Sequence, residues 1–163
     1  MTGTAIAPGT AAGPRPPGAV DPRGPRVAAA GTSLVLAATV LTGSVWLLAL
    51  QAVVFALTVV LGPGRGPWGA LFRVAVRPRL GPPAFWEDAA APRFAQLVGL
   101  GVVGAGLALW ALGVPGAVVG SAAAALVAAG LNAGFGICLG CALYRAGLRR
   151  RRLSRRASGR PAP

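Results

Sequence analysis

The chain has no lysine and no histidine, and only three acidic residues: Asp21, Glu87 and Asp88. Those absences exclude most catalytic schemes, because there is no Ser-His-Asp set, no histidine metal site and no buried carboxylate pair. The glycine-rich stretches are apolar and lack the lysine of a phosphate-binding loop. Charged residues make up 12% of the 163, against about 25% in an ordinary soluble domain. Nothing in the chain implies a cofactor. With two cysteines present, the chemistry left to it is cysteine chemistry or none.

What the chain does have is apolar residues, 55% of the total, in long blocks rather than at a soluble helix's spacing. Val27 to Leu61 is 35 residues without a charge. One helix of that length would extend roughly 52 Å, against a hydrocarbon core of about 30 Å. The block therefore folds back, with Thr42-Gly43-Ser44 as the turn and Trp46 just beyond it at the outer interface. Phe94 to Tyr144 is 51 uncharged residues and folds back likewise at Gly113-Val114-Pro115-Gly116, with Trp110 before the turn. These lengths predict an all-α, polytopic membrane protein of four transmembrane helices in two hairpins, at about 27–43, 45–61, 94–112 and 117–142.

All sixteen cations are arginine, and their positions predict the orientation. Three precede the first span, five lie in the loop 62–93, eight follow Tyr144, and neither hairpin turn has any. The positive-inside rule then puts both termini and the central loop in the cytoplasm of a bacterial inner membrane. A net charge of +13 would suggest nucleic acid in a soluble protein. Here it borders apolar blocks, and no aromatic-interleaved basic groove accompanies it, so no nucleic-acid partner is expected.

Residues 1–26 read as a disordered cytoplasmic arm, 27–144 as the membrane domain and 145–163 as an arginine-rich cytoplasmic tail. The tail serves as a topology signal and is expected to contact anionic lipid. In the central loop, Trp68, Leu71, Phe72, Ala75 and Val76 share one helical face, opposite Arg73 and Arg77. That pattern predicts a short amphipathic helix in the inner leaflet, with Trp68, Arg73 and Arg77 at the lipid interface.

Glycines at 116/120, 130/134 and 136/140 are spaced four apart, as in helices that approach closely or form a homodimer. Gln51 and Asn132 carry amides into the spans, where each is expected to face another helix. The chemically pointed feature is Cys138-Leu139-Gly140-Cys141. On a continuous fourth span the two cysteines share one side, near enough for a disulfide, at the cytoplasmic interface where thiols are kept reduced. That placement is near a helix C-terminus, where the dipole disfavours a thiolate. Three readings stay open: a redox-cycling dithiol, a soft-metal site (Cu(I) or Zn²⁺) needing a second copy, and two small residues packed beside glycine.

The segments DPRGPR (21–26), RPRLGPP (77–83), PRFAQ (92–96) and NAGFGICLGCALY (132–144) resemble bacterial, mostly actinobacterial, membrane proteins grouped as domain of unknown function 4395. The resemblance spans about residues 20–145 and carries over onto Asn132, Phe135, Gly136, Cys138, Leu139, Gly140, Cys141 and Tyr144. It implies a four-span membrane protein. Genes for thioredoxin-like or sulfur-transfer proteins beside its members imply such a protein as a cytosolic partner. On that footing Cys138 and Cys141 are the candidate redox pair, supported by Asn132 and Tyr144. The alternative is a non-enzymatic scaffold or small-solute permeation protein packed through its glycines.

Overall fold

The computed structural model describes the backbone of residues 16–157 and the side chains of residues 16–150. The disorder expected of residues 1–15 and the last six residues of the tail lie outside the described residues. The chain is helical: α1 spans Arg23–Thr42, α2 Val45–Leu61, α3 Pro67–Leu71, α4 Ala90–Ala111, α5 Ala117–Phe135 and α6 Leu139–Ala157. A π-helical turn, Phe72–Val76, and a 3-10 turn, Arg77–Arg79, carry α3 onward. Two short strands, β1 (Ala19–Val20) and β2 (Glu87–Asp88), pair antiparallel with Ala19 opposite Asp88.

Three helices, α1, α4 and α5, are long and apolar enough to cross a membrane; α2 is apolar but has only 17 residues. Each turn between them needs a left-handed residue that glycine supplies without Cβ strain: Gly43 at φ 65° in the first, and Gly113 (78°) and Gly116 (73°) in the second. The four helices close into a ring in which α1 packs on α2 and α5, and α4 on α2 and α5. Buried positions recur every three or four residues: Thr32, Leu36 and Thr39 on α1, Leu48, Gln51, Phe55 and Thr58 on α2, and Val118, Ala122 and Ala125 on α5. The outer faces are apolar as well. Leu41, Trp46 and Leu112 are each about four-fifths exposed (86%, 81% and 79%), and Leu34, Val53 and Val60 also face outward. A bundle apolar inside and out is consistent with a membrane protein. Its hydroxyls fit that setting, since Ser33, Thr39, Thr42 and Thr58 each donate to the carbonyl four residues back.

The structure corrects four expectations. First, the fourth apolar helix does not run to residue 142. It stops at Phe135, and the chain turns at Gly136 before α6 begins at Leu139. Second, the inner end of the arm is structured: Ala19 and Val20 are buried against the central loop, and α1 begins at Arg23 rather than Val27. Asp21 stabilises that start, accepting from the Arg23 backbone N–H at 3.0 Å and pairing with its guanidinium.

Third, the loop helix does not present its aromatics to lipid. The Trp68 ring lies where a Cβ on Gly31 would sit, 2.7 Å away, and Phe72 is buried beside Gly24. Leu71, Val74, Arg73 and Arg77 are the exposed residues. A tryptophan one helical turn from a phenylalanine finds more apolar area on α1 than at an interface.

Fourth, most of the glycines spaced four apart do not bring helices of this one chain together. Gly116 and Gly136 are turn residues, and Gly120, Gly130 and Gly134 have no atom within 4 Å of where a Cβ would stand. Only Gly140 makes a close approach, against the backbone of Ala95 on α4. Two further tight approaches between the long helices are at Gly99 against Phe55 and Gly106 against Ser121.

Candidate functional site

The end of α5 determines where the cysteines go. Gly136 adopts φ 70°, and its N–H donates to the Asn132 carbonyl at 3.0 Å. Ile137 N–H caps the Leu131 carbonyl at 3.2 Å. With those last carbonyls satisfied, the helix stops in apolar surroundings without stranding its acceptors. Cys138 follows as the first residue beyond the break. Its carbonyl accepts from Ala142 N–H at 3.0 Å, and its Sγ accepts from Cys141 N–H at 3.2 Å. A side-chain acceptor on the third helical N–H is N-cap geometry, with sulfur in the place of a serine oxygen.

The expected placement near a helix C-terminus is therefore reversed. Cys138 caps the N-terminus of α6, where the dipole and the Cys141 N–H both favour negative charge on sulfur. The two cysteines form a disulfide, with Cα atoms 5.2 Å apart. They differ in access: Cys141 is 6% exposed, while Cys138 is half-buried. The accessible sulfur is thus the capping one, and its partner lies behind it.

Two cavities meet at Cys138. One, of about 480 Å³, is about half polar and opens at the arginine-bearing end of the bundle, where Arg26, Glu87, Asn132, Cys138, Cys141 and Arg145 contribute to its lining. The Arg26 guanidinium lies beside Gly136, 3.6 Å from where a Cβ would stand. Arg145 is held by Glu87 at 2.9 Å. The other cavity, of about 250 Å³, is largely apolar and runs between α1, α4 and α5.

Helix α6 is fixed by two contacts to α4 and one to β2. Gly140 sits on Ala95, the Tyr144 ring packs on Phe94 with centroids 5.6 Å apart, and Arg145 meets Glu87. Arg93, at the start of α4, donates to the carbonyls of Val59 and Val60 at the end of α2. That contact joins the two hairpins at the same end of the bundle.

Of the residues expected to support the pair, Asn132 lines both cavities beside Cys138. Tyr144 lines neither and serves as the packing contact on α4. Gln51 is fully buried and donates to Thr32 Oγ1 at 3.4 Å, leaving its Oε1 unpartnered. Arg26 and Gln96 were missed from the sequence. Both fall in segments that carry the family resemblance, Arg26 ending DPRGPR and Gln96 ending PRFAQ, but nothing in their residue type or spacing marks them as lining a cavity. Among the described residues no group of three or more His, Cys, Asp or Glu side chains gathers around a metal-sized site.

A family model described as domain of unknown function (DUF4395) matches residues 20–149. The chain belongs to this family. The match runs from the buried strand β1 into the arginines of α6, so the family region includes the helix break and both cysteines. No curated protein and no solved structure matches the chain.

Proposed function

We propose that this protein is a four-span membrane partner in cytoplasmic thiol-disulfide or sulfur handling, with Cys138 and Cys141 as its redox pair. The observation that carries the reading is Cys138 as a half-exposed N-cap facing an open polar cavity, with Cys141 buried behind it. A thiolate of a cytosolic thioredoxin-like protein attacks Cys138 Sγ, a mixed disulfide forms and Cys141 leaves as the thiolate. The partner's second thiol then attacks its own sulfur in the mixed disulfide and releases Cys138. Two electrons have entered the pair, and the partner has become a disulfide. Asn132 and Arg26 border the path, and the Arg26 cation favours the anionic sulfur.

The orientation is part of the proposal. Every described arginine lies at the end of the bundle where α1 and α4 begin, or beyond it, and the hairpin turns have none, so both termini face the cytoplasm. Helix α2 makes the fourth span despite its length, and the exposed arginines of α6, together with Arg73 and Arg77, rest on anionic lipid.

The test is differential alkylation in native membranes with and without a thioredoxin-type reductant. Reduction should expose both thiols to a maleimide, with Cys138 labelling first. In the Cys141→Ser variant, Cys138 first converted to its mixed disulfide with thionitrobenzoate should lose that group to a thioredoxin lacking its resolving cysteine, leaving a stable mixed disulfide on Cys138. Thiols that stay unreactive, and Cys→Ser variants that behave as wild type under oxidant, would sink the reading.

A further inference from the structure

The apolar cavity beside the cysteines has a shape and a chemistry of its own. It is bounded by α1, α4, α5 and the start of α6, with Cys138 near one end, Phe55 of α2, Gly99 and Ala128 along its length, and the exposed Ala124 at its rim. Ala124 lies eight residues before Asn132 on α5, so the space extends about 12 Å along the helices. Alanine and glycine walls keep it open, while Phe55 supplies an aromatic face.

Its one buried hydroxyl is Thr32, which is 3% exposed. The other span hydroxyls on α1 and α2 donate to a carbonyl four residues back; Thr32 instead accepts from Gln51, whose own Oε1 has no partner. Thr32 thus keeps its own hydroxyl proton for an acceptor in the cavity, and a buried donor left without one is costly. An occupant that fits these walls is apolar and carries a carbonyl to accept from Thr32, and its place beside Cys138 would let an electron-accepting ring take electrons from the sulfur pair.

We infer that this cavity takes the ring of a lipid-soluble quinone, which accepts the electrons of the Cys138–Cys141 dithiol; the inference rests on the thiol reading above. The step balances within the site. Both cysteines give up their thiol protons, the Cys138–Cys141 bond forms with loss of two electrons, and the quinone gains two electrons and two protons to leave as the quinol. The two cavities then divide the labour: a protein dithiol reaches Cys138 from the polar side, and the carrier reaches it from within the bundle.

The experiment uses the full chain in lipid nanodiscs, reduced, desalted and kept free of oxygen. The probe is decylubiquinone, whose fully substituted ring has no free position for thiol addition. One quinol should appear per disulfide formed. Ala128→Phe, which fills the cavity, should slow that reaction about tenfold or more, the range expected when a pocket loses room for its ligand. Oxidation of the same variant by the soluble oxidant diamide should proceed as in wild type, which shows that the variant is folded and its thiols reachable. Ala124→Phe, at the exposed rim, provides a second blocking variant if Ala128→Phe does not fold.

A pair that exchanges with thioredoxin but passes no electrons to decylubiquinone overturns this inference and leaves the thiol reading in place. Quinone reduction at the wild-type rate in both folded Phe variants overturns it as well. A pair inert to thioredoxin, diamide and quinone alike overturns both.

Discussion

Replacing Gly140 with alanine tests whether helix packing holds the cysteines in place. A Cβ at Gly140 would stand 2.5 Å from the Cα of Ala95, and backbone cannot rotate out of the way as a side-chain tip can. Helix α6 must therefore shift off α4. Overpacking of this kind costs about 1–3 kcal/mol. Alanine's better helix propensity returns up to about 1 kcal/mol, so the net loss is about 1–2 kcal/mol. The loss is local, because α6 lies outside the four-helix core and is held by Gly140 and Tyr144 on α4 and by Arg145 on Glu87 of β2.

Weakening that docking by 1–2 kcal/mol raises the open population about 5–30-fold. Cys141, buried when α6 is docked, reports it. In reduced protein the maleimide labelling rate of Cys141, measured in a Cys138→Ser background, should rise by about that factor. Labelling of Cys138, measured in a Cys141→Ser background, should change little. Gly134→Ala is the matched control, since nothing lies within 4 Å of its Cβ position. If Gly140→Ala leaves Cys141 as protected as in wild type, the packing argument is wrong.

Two further substitutions probe the bundle. Gly31→Ala pushes a methyl into the Trp68 ring and should lower the thermal midpoint in detergent, whereas Gly101→Ala, in open space on α4, should hold or raise it. Adding Trp68→Ala to Gly31→Ala should cost less than the two single changes summed, because it removes the clash; simple additivity would refute the contact. Gln51→Leu combined with Thr32→Val removes the buried pair together with its unpartnered Oε1, so the empty protein should hold or gain stability in a denaturation series. If it is destabilised instead, Gln51 Oε1 has a partner in the folded bundle.

Much of this protein follows from chain length and residue type alone. Uncharged runs longer than a bilayer must fold back, and the turns came where glycine and proline interrupt the apolar runs, at Gly43 and at Gly113–Gly116. Confinement of the arginines to the helix starts, the central loop and the tail is likewise a property of the sequence, which is why an orientation can be proposed from it. Pairing of Cys138 with Cys141 needs only their spacing of three.

Tertiary structure decided which end of a helix those cysteines occupy. Gly136 sits in an uncharged stretch, and hydropathy cannot tell a glycine inside a span from one that caps it. The difference lies in φ and in which carbonyls are satisfied. Ending α5 there turned Cys138 from a residue in a last turn into the N-cap of α6, and so reversed the sign of the dipole acting on its sulfur. The same holds for the glycines. A four-residue spacing says that close approach is permitted, but only the arrangement of neighbouring helices shows that Gly140 uses that permission within the bundle while Gly120, Gly130 and Gly134 do not. Composition thus determined where the apolar helices fold back, and packing determined what the cysteines face.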